Sequence, residues 1–483
     1  MTNIAEARRV IEQACSLGAT DFCVCAGSRN APLLAVLSGS DLRIYSFVDE
    51  RSAAFFALGR AKLTGRPAAV VTTSGTAVAE LLPAAIEAHY SGTPLILITA
   101  DRPARYRGTG APQSIEQEEI FGVYARGSVT HINVEFDEPL IDEEVTWERG
   151  RPARSSRDNR SVSTAGETPA LPGSRPLVIL GGLHESRRTT VRDFAKKLNA
   201  PIYAEPLSGL REDLAHLSIT AGERMIGCGN FDSVIRIGNV PTLRFWRDLD
   251  ESRRDLPLIS FSALPFTGCS RGEVFPLESL PSDITPRERD EAFFTADHER
   301  AAAIAQLLDD EPYSELAMFR SLSQSIPPNA RVYLGNSLPI REWDLAAIRE
   351  PRGFEIAANR GANGIDGQLS TFFGQCDPGR SNVCVVGDLT AIYDSNAPWI
   401  VQQLDAGIDW RIVIINNGGG RIFSRVPSLR KLDASMRERI IENAHDLRFD
   451  HWAAMWSIEE RVRELRPDAG ASRRAWARYD ALW

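Results

Sequence analysis

Lysine is scarce in this sequence, and long apolar runs and common metal-binding spacings are missing. No hydrophobic stretch approaches the roughly 20 residues that a membrane-spanning helix needs. The seven cysteines form no C-x-x-C pair and the seven histidines no H-E-x-x-H pattern, which argues against a zinc hydrolase and indicates reduced thiols. The chain starts on an amphipathic helical pattern rather than an apolar signal. We therefore expect a cytoplasmic protein with no stable membrane insertion.

The charge balance limits the partners of the chain. Its 483 residues carry a net charge of −9, which argues against general attraction to nucleic acid or anionic membranes. Only four of the 55 basic residues are lysine. A coding bias toward arginine explains this most simply, so an arginine has functional meaning here only where a motif fixes it. We expect small-molecule partners and no nucleic acid.

Short apolar runs that end in polar or glycine-rich turns alternate with helical patterns along most of the chain. Residues 22–26 lead into Ser28, and residues 68–73 lead into Ser74 and Gly75. Strands that alternate with helices indicate parallel sheets, whose carboxyl ends bind ligands. We predict an α/β protein of three doubly wound parallel-sheet domains, with the site between the first and the third. The predicted domains are 1–146, 177–310 and 311–483.

Two segments depart from this pattern. Residues 149–175 carry six arginines and almost no large apolar residue, so they cannot bury enough surface to offset the entropy of ordering. We interpret 147–176 as a flexible low-complexity insertion or linker without a role in chemistry. After Val462 no further apolar strand follows, and the third domain is therefore expected to be short by one strand at its C-terminus.

The most informative pattern lies in the third domain. Asp388 follows one apolar strand and Asn417 follows the next, so the sheet should bring their oxygens together. With backbone carbonyls of the glycines at 418–420, they would offer hard oxygen ligands to a magnesium ion that also binds diphosphate. The alternative is a helix-capping Asp and an unrelated Asn-Gly turn. The pairing favours magnesium-diphosphate binding.

This pattern resembles the cofactor motif of the thiamine diphosphate enzymes, here Gly387-Asp388-Leu389 and Asn416-Asn417. The resemblance implies three domains of that enzyme type: pyrimidine-binding, middle and diphosphate-binding. It also implies that Glu50 activates the cofactor by sharing a proton with a ring nitrogen of its aminopyrimidine. Without the third-domain motif, Glu50 would be read as a first-turn acid that the helix dipole stabilises.

Six further segments resemble one branch of this family, the 2-succinyl-5-enolpyruvyl-6-hydroxy-3-cyclohexene-1-carboxylate synthases of menaquinone biosynthesis. The branch implies a transferase that decarboxylates 2-oxoglutarate and adds the resulting carbanion to isochorismate in a 1,4 fashion. It further implies thiamine diphosphate with Mg²⁺ (Mn²⁺ possible), and a homodimer or homotetramer whose sites lie between chains. The six segments are 27–33, 73–77, 99–103, 336–341, 359–367 and 420–423.

The resemblance assigns roles to individual residues. Because both substrates are dianions, guanidinium forks suit their carboxylates. Expected catalytic residues are Glu50, Arg29, Gln113 and Arg341, and expected metal ligands are Asp388, Asn417 and Gly419. Expected cofactor contacts are Glu50, Ser74, Gly75, Gly387, Asp388, Leu389, Asn417, Gly419, Ile365, Ile422 and Phe423. Expected substrate contacts are Ser28, Arg29, Arg102, Gln113, Arg244, Ser337, Arg341 and Arg360.

Other functions remain open at the level of sequence. Another thiamine diphosphate-dependent 2-oxo-acid decarboxylase or carboligase would need an apolar pocket and no arginine cluster. An inactive cofactor-binding homologue would fit the expected lack of a last strand and the insertion. A nicotinamide-binding Rossmann enzyme is disfavoured, because each glycine-rich segment lacks a third glycine at the right offset.

Overall fold

Three five-stranded parallel sheets form the framework of the protein in a computed structural model that describes residues 1–143, 169–426 and 428–483. If the five strands of each sheet are numbered by their order in the chain, their spatial order across the sheet is 2-1-3-4-5 or its reverse. All described strand pairs are parallel. This confirms the predicted fold class of three doubly wound α/β sheets. We call the parts built on these sheets the first, second and third units.

The first unit begins with a helix and continues through alternating strands and helices. Three of its strands are buried along their whole length, as their apolar sequences predict. Its strands are β1 (Asp21–Cys25), β2 (Arg43–Phe47), β3 (Ala68–Thr72), β4 (Leu95–Asp101) and β5 (Val129–Glu135). Its helices are α1 (Asn3–Ser16), α2 (Ala31–Ser38), α3 (Glu50–Thr64), α4 (Thr76–Ala79) and α5 (Leu82–Ser91).

The second unit repeats the same winding. Its strands are β6 (Pro176–Leu180), β7 (Ile202–Ala204), β8 (Ser233–Ile237), β9 (Leu258–Phe261) and β10 (Glu273–Phe275). Helix α6 (Glu185–Leu198) follows β6, helix α7 (Arg244–Glu251) follows β8, and the long helix α8 (Glu291–Asp310) leads toward the third unit. Of the predicted insertion, residues 147–168 lie outside the described residues. Ser174 and Arg175 lie just before β6. Their backbone N–H groups donate hydrogen bonds to the carboxylate of Asp232, which lies just before β8.

The third unit carries the predicted metal loop. Its strands are β11 (Arg331–Leu334), β12 (Glu355–Ala357), β13 (Asn382–Gly387), β14 (Trp410–Ile415) and β15 (Val462–Leu465). Its helices are α9 (Glu315–Ser325), α10 (Leu338–Ala346), α11 (Gln368–Gly374), α12 (Asp388–Tyr393), α13 (Ala434–Met436), α14 (Asp450–Met455) and α15 (Ala469–Asp480).

The expectation of a missing last strand is wrong. Residues Val462–Leu465 form β15 and pair in parallel with β14, from Val462 opposite Ile412 to Leu465 opposite Ile415. This strand lies at the edge of its sheet and is only partly buried, so it needs no continuous apolar run. Helix α15 then packs back onto α8 and α9.

The third unit packs against both of the others. One buried cluster joins it to the first unit and a second joins it to the second unit. Where α3 meets α11, a Cβ on Gly59 would lie 2.2 Å from the carbonyl oxygen of Thr371, and one on Gly374 would lie 2.2 Å from that of Phe56. The two helices therefore approach each other through glycines. Among the described residues, no helix is both long and apolar enough to cross a membrane.

The strand order determines where ligands can bind. In each sheet the connections leave in opposite directions from the first and third strands, which opens a crevice at the carboxyl ends of these two strands. In the first unit this crevice lies between the turns at Ser28 and Ser74. In the third unit it lies between the turns at Ser337 and Asp388. Ser28, Ser74, Ser337 and Asp388 thus follow the strands that border these crevices, whereas Glu50 follows β2 and Asn417 follows β14.

Candidate active site

Asp388 organises the loop at the crevice of the third unit. It is buried at the start of α12, and its Oδ2 accepts the backbone N–H groups of Gly418 at 2.8 Å and Gly419 at 2.9 Å. Its Oδ1 accepts the N–H of Leu389 at 2.7 Å. Burial raises the pKa of Asp388, and these hydrogen bonds oppose the rise. Asp388 is therefore hydrogen-bonded to the glycine loop that follows Asn417, and the joint binding of a metal by Asp388 and Asn417 stays a prediction.

Asn417 presents an oxygen with no protein partner. Its Nδ2 donates to both carboxylate oxygens of Glu315, at 2.9 and 3.1 Å. Its Oδ1 is buried and accepts no hydrogen bond. A buried acceptor without a donor is costly, and such an atom marks a place where an ion or ligand belongs.

The glycines of the same loop adopt conformations that other residues avoid. Gly418 has a φ of 79° and Gly419 a φ of 129°. A Cβ on Gly419 would lie 2.5 Å from the carbonyl oxygen of Glu442. The loop therefore requires glycine for both backbone angle and space. An orphaned amide oxygen, a neighbouring carboxylate and a run of glycine backbone groups fit the magnesium-diphosphate unit of thiamine pyrophosphate.

A segment that the sequence analysis missed covers this loop. Glu442 accepts the N–H of Gly420 through its carbonyl, at 2.6 Å, and its carboxylate pairs with Arg421 and Arg437. His445 lies with Nε2 3.4 Å from Oδ2 of Asp388. No motif signals these residues, because they act through the fold of residues 437–447 over the loop.

Glu315 and Glu342 form a buried acidic pair behind Asn417. They are 4% and 0% exposed, and their carboxyl groups interact with each other. Burial raises the pKa of Glu315 to about 7 and that of Glu342 well above its usual range. Burial thus favours the protonated form within this pair of carboxyl groups. Nothing in the local sequence distinguishes these glutamates from surface helix residues.

Glu50 is the first residue of α3, directly after Asp49, which caps the helix by accepting the N–H of Ser52. Glu50 is half-buried at the carboxyl edge of the first sheet. Burial raises the pKa of its carboxyl group, and the charges of Asp49 and Glu80 add to the rise. A carboxyl group of this kind is suited to holding a proton against a ring nitrogen.

Ser74, Gly75 and Gln113 come together in the first unit. Ser74 is 2% exposed, and a Cβ on Gly75 would lie 3.2 Å from Cα of Gln113. Gln113 has a φ of 57°, an uncommon angle for a residue other than glycine, and such strain gathers at functional sites. The fully buried Gln117, which sequence analysis missed, holds the turn by accepting the N–H of Gly75 at 3.3 Å.

The two candidate arginines of the first unit differ in their surroundings. Arg29 is 8% exposed, donates to the carbonyl of Phe136 at 2.9 Å and lies 3.4 Å from Glu138. Arg102 lies over the ring of Tyr106 at 5.4 Å, and its Nε is buried without a partner. Ser28, next to Arg29 in the chain, is exposed. Arg102 therefore has more unused hydrogen-bonding capacity than Arg29.

Arg341 and Arg360 form a cationic pair between the second and third units. Arg341 donates to the carbonyl of Ser337 at 2.5 Å, and Arg360 donates to Oδ1 of Asn336 at 2.9 Å and to Thr242. Burial lowers the pKa of Arg341, and it lowers that of Arg360 to about 10. Both remain cations at neutral pH, at a place where an anion would relieve their mutual repulsion.

The remaining predicted residues differ in exposure and in backbone conformation. Ser337 has a φ of 74° at the start of α10, which marks a second strained position. The side chain of Arg244 is 59% exposed and pairs with Asp248 at 3.8 Å, while its backbone N–H donates to Glu223. Phe423 is 38% exposed. Gly387, Ile365 and Ile422 are partly buried.

The candidate residues form two groups within the chain. One surrounds the crevice of the first unit and includes Glu50, and the other surrounds that of the third unit and includes Asp388. Within the described parts of the chain, no hydrogen bond or ion pair joins a candidate residue of one group to one of the other.

The fold and the glycine loop define a class of enzyme. The model of the family described as thiamine pyrophosphate enzyme, N-terminal TPP binding domain, matches residues 6–120. This range includes Glu50, Ser74, Gly75 and Gln113. The chain is an enzyme of the thiamine pyrophosphate class.

Relatives over nearly the whole chain define the family more closely. A 2-succinyl-5-enolpyruvyl-6-hydroxy-3-cyclohexene-1-carboxylate synthase from Bdellovibrio bacteriovorus is 41% identical over 536 aligned positions that cover 100% of both chains. A synthase of the same name from Akkermansia muciniphila is 38% identical over 93% of this chain and 90% of its own, and one from Bacillus velezensis is 33% identical over 91% and 86%. The chain belongs to this synthase family.

Proposed function

We propose that this chain decarboxylates 2-oxoglutarate and adds the remaining succinyl-semialdehyde unit to isochorismate in a 1,4 fashion, as a step of menaquinone biosynthesis. The observation that carries the proposal is the full-length similarity to synthases of this name, which includes the glycine loop at Asp388. Bound thiamine pyrophosphate would supply the carbon nucleophile that attacks the keto carbon and accepts the electrons released with carbon dioxide.

Residues of the third unit would hold the cofactor. Asp388, Asn417 and the carbonyl of Gly419 would bind Mg²⁺, and the N–H groups of the loop would face the diphosphate. The orphaned Oδ1 of Asn417 supports this assignment. Glu50 would hold a proton at the ring nitrogen of the aminopyrimidine, which its raised pKa supports.

Arginines would bind the carboxylates of the substrates. Arg341 and Arg360 are cations whose nearest acidic neighbours, Glu205 and Glu223, have pKa values raised by burial. An arriving carboxylate would therefore meet a positive field that these acids only partly cancel. Arg102, with its unpartnered Nε, would serve in the first unit.

We place the complete site between two copies of the chain, in a cytoplasmic homodimer or homotetramer. Two observations support this placement. The Glu50 group and the Asp388 group share no hydrogen bond within the described chain, and Val48, two residues before Glu50, is 64% exposed. Such an apolar side chain next to a half-buried acid favours a covering partner.

Substrate dependence tests the proposal. Purified protein with thiamine pyrophosphate and Mg²⁺ is given isochorismate alone, 2-oxoglutarate alone, or both. We expect rapid loss of isochorismate only in the mixture. Turnover of pyruvate without isochorismate would indicate another 2-oxo-acid decarboxylase, and no stabilisation by cofactor and Mg²⁺ would indicate a homologue without a formed site.

A further inference from the structure

The orientation of the Asn417 amide is set by its neighbour Glu315. Both carboxylate oxygens of Glu315 lie within 3.1 Å of Nδ2 of Asn417. A carboxylate oxygen accepts hydrogen bonds, and the amide oxygen has no hydrogen to donate. Only the nitrogen end of the amide can therefore face Glu315. The oxygen end turns away, where it is buried and unpartnered.

Glu315 is itself held rigidly. It is the first residue of α9, which Ser314 caps, and its backbone N–H donates to Oγ of Ser472 in α15 at 3.0 Å. Its side chain is buried and contacts Glu342 of α10. Three helices thus fix one carboxylate beside the metal loop. Such support from several elements is typical of residues that orient metal ligands.

We propose that Glu315 is the positioning residue for the metal ligand Asn417: it fixes the amide so that Oδ1 is free for the divalent cation. This inference rests on the proposed function, because that proposal makes Asn417 a ligand. It adds a residue outside the glycine loop, contributed by a helix that begins 102 residues before Asn417. Glu342 supports Glu315 and forms no hydrogen bond with the amide.

Binding of Mn²⁺, measured by electron paramagnetic resonance in the presence of thiamine pyrophosphate, tests this role without turnover. Glu315→Leu removes the acceptor, and we expect Mn²⁺ affinity to fall about 10–100-fold, the usual effect of losing an outer partner of a ligand. Glu315→Gln keeps an amide oxygen for Asn417 and an NH₂ group for Glu342. We expect its affinity to stay close to that of the wild type.

A matched control comes from α8. Asp297 is also fully buried and accepts backbone N–H groups, those of Thr220 and Ala221, away from the metal loop. Asp297→Asn removes a buried carboxylate as Glu315→Gln does, and Mn²⁺ affinity should not change. Circular dichroism and the melting temperature without ligands show whether each variant is folded.

A pair of substitutions tests the contact itself. Asn417→Asp places a second carboxylate against Glu315, so Mn²⁺ affinity should fall. Adding Glu315→Gln replaces the repelling carboxylate at position 315 with an amide, whose NH₂ group can donate to the new carboxylate at position 417. Mn²⁺ affinity should then recover at least about tenfold, as expected for two residues in contact. A merely structural role of Glu315 would not produce this recovery.

The outcomes separate the two proposals. Equal Mn²⁺ affinity of Glu315→Leu and the wild type would overturn the positioning role and leave the metal site standing. If Glu315→Leu does not fold, the double variant decides, and absence of recovery overturns the role. Failure of the wild type itself to bind Mn²⁺ with thiamine pyrophosphate would overturn the proposed metal site, and the inference with it.

Discussion

The carboxylate of Glu87, in α5 of the first unit, accepts the backbone N–H of Gly361 in the third unit at 2.9 Å. The same carboxylate accepts the N–H of Ala362 at 2.7 Å and lies 3.4 Å from the ammonium group of Lys62. Glu87 is 3% exposed. One of the four lysines of the chain thus helps a helix of the first unit to hold the loop that bears Arg360.

Glu87→Ala should destabilise the protein by about 3 kcal/mol, because it removes the anionic partner of the largely buried Lys62 and the acceptor of two backbone N–H groups. Chemical denaturation measures the change. Glu12→Ala, at an exposed position of α1, is the control and should stay within about 0.5 kcal/mol of the wild type. Equal stabilities of the two variants would refute the importance of this ion pair.

Gly419→Ala should cost more stability than a change at another glycine of positive φ. Gly407 has a φ of 93°, and no atom lies within 4 Å of the position that a Cβ would take there, whereas a Cβ on Gly419 would meet the carbonyl of Glu442. We expect about 1 kcal/mol of loss for Gly407→Ala from backbone strain and at least about 2 kcal/mol for Gly419→Ala. Only Gly419→Ala should also lose stabilisation by thiamine pyrophosphate and Mg²⁺, as measured by thermal shift. Equal losses in the two variants would contradict the close fit of this loop.

The bidentate pair of Arg188 in α6 and Glu355 in β12 predicts a pH dependence. Burial alone would raise the pKa of Glu355, but two hydrogen bonds of 2.8 Å from Arg188 outweigh it and hold the pKa below its usual range. A lowered pKa in the folded state adds stability above the unfolded value of about 4.5, and this stability is lost as pH falls through the folded value.

Glu355→Gln should therefore cost about 1–2 kcal/mol at pH 7 and much less below about pH 4. Urea denaturation of both proteins across this range measures the difference. A difference that is constant with pH would contradict an ionic role for the pair.

Glu50→Gln should retain cofactor binding and lose at least about 100-fold in turnover, because glutamine cannot carry the shared proton. Calorimetric titration with thiamine pyrophosphate and a steady-state assay measure the two properties. Glu80→Gln, which removes an exposed carboxylate near Glu50, is the control and should keep its turnover. Full activity of Glu50→Gln would remove Glu50 from the chemistry.

The buried strands could be predicted from sequence, and several edge strands could not. Apolar runs predict β1, β3, β4, β13 and β14 to within one or two residues, because central parallel strands are covered on both faces. No such run marks β5, β10, β12 or β15. All four lie at sheet edges, where partial burial leaves no continuous apolar stretch.

In the candidate site, too, some residues could be predicted from the sequence and others could not. Asp388 and Asn417 could be located because each closely follows a buried strand. Glu315, Gln117 and His445 could not, because they reach the site from a helix start, a turn and a covering segment that are distant in sequence. Side chains that orient other side chains leave no spacing pattern of their own.

The coupling of carbon dioxide release to isochorismate loss is the most direct test of the proposed reaction. Protein with thiamine pyrophosphate and Mg²⁺ is given 2-oxoglutarate labelled at C1, with and without isochorismate. We expect one labelled carbon dioxide for each isochorismate consumed, and release that depends on isochorismate. Sustained release of the label without isochorismate, or loss of isochorismate without the label, would contradict it.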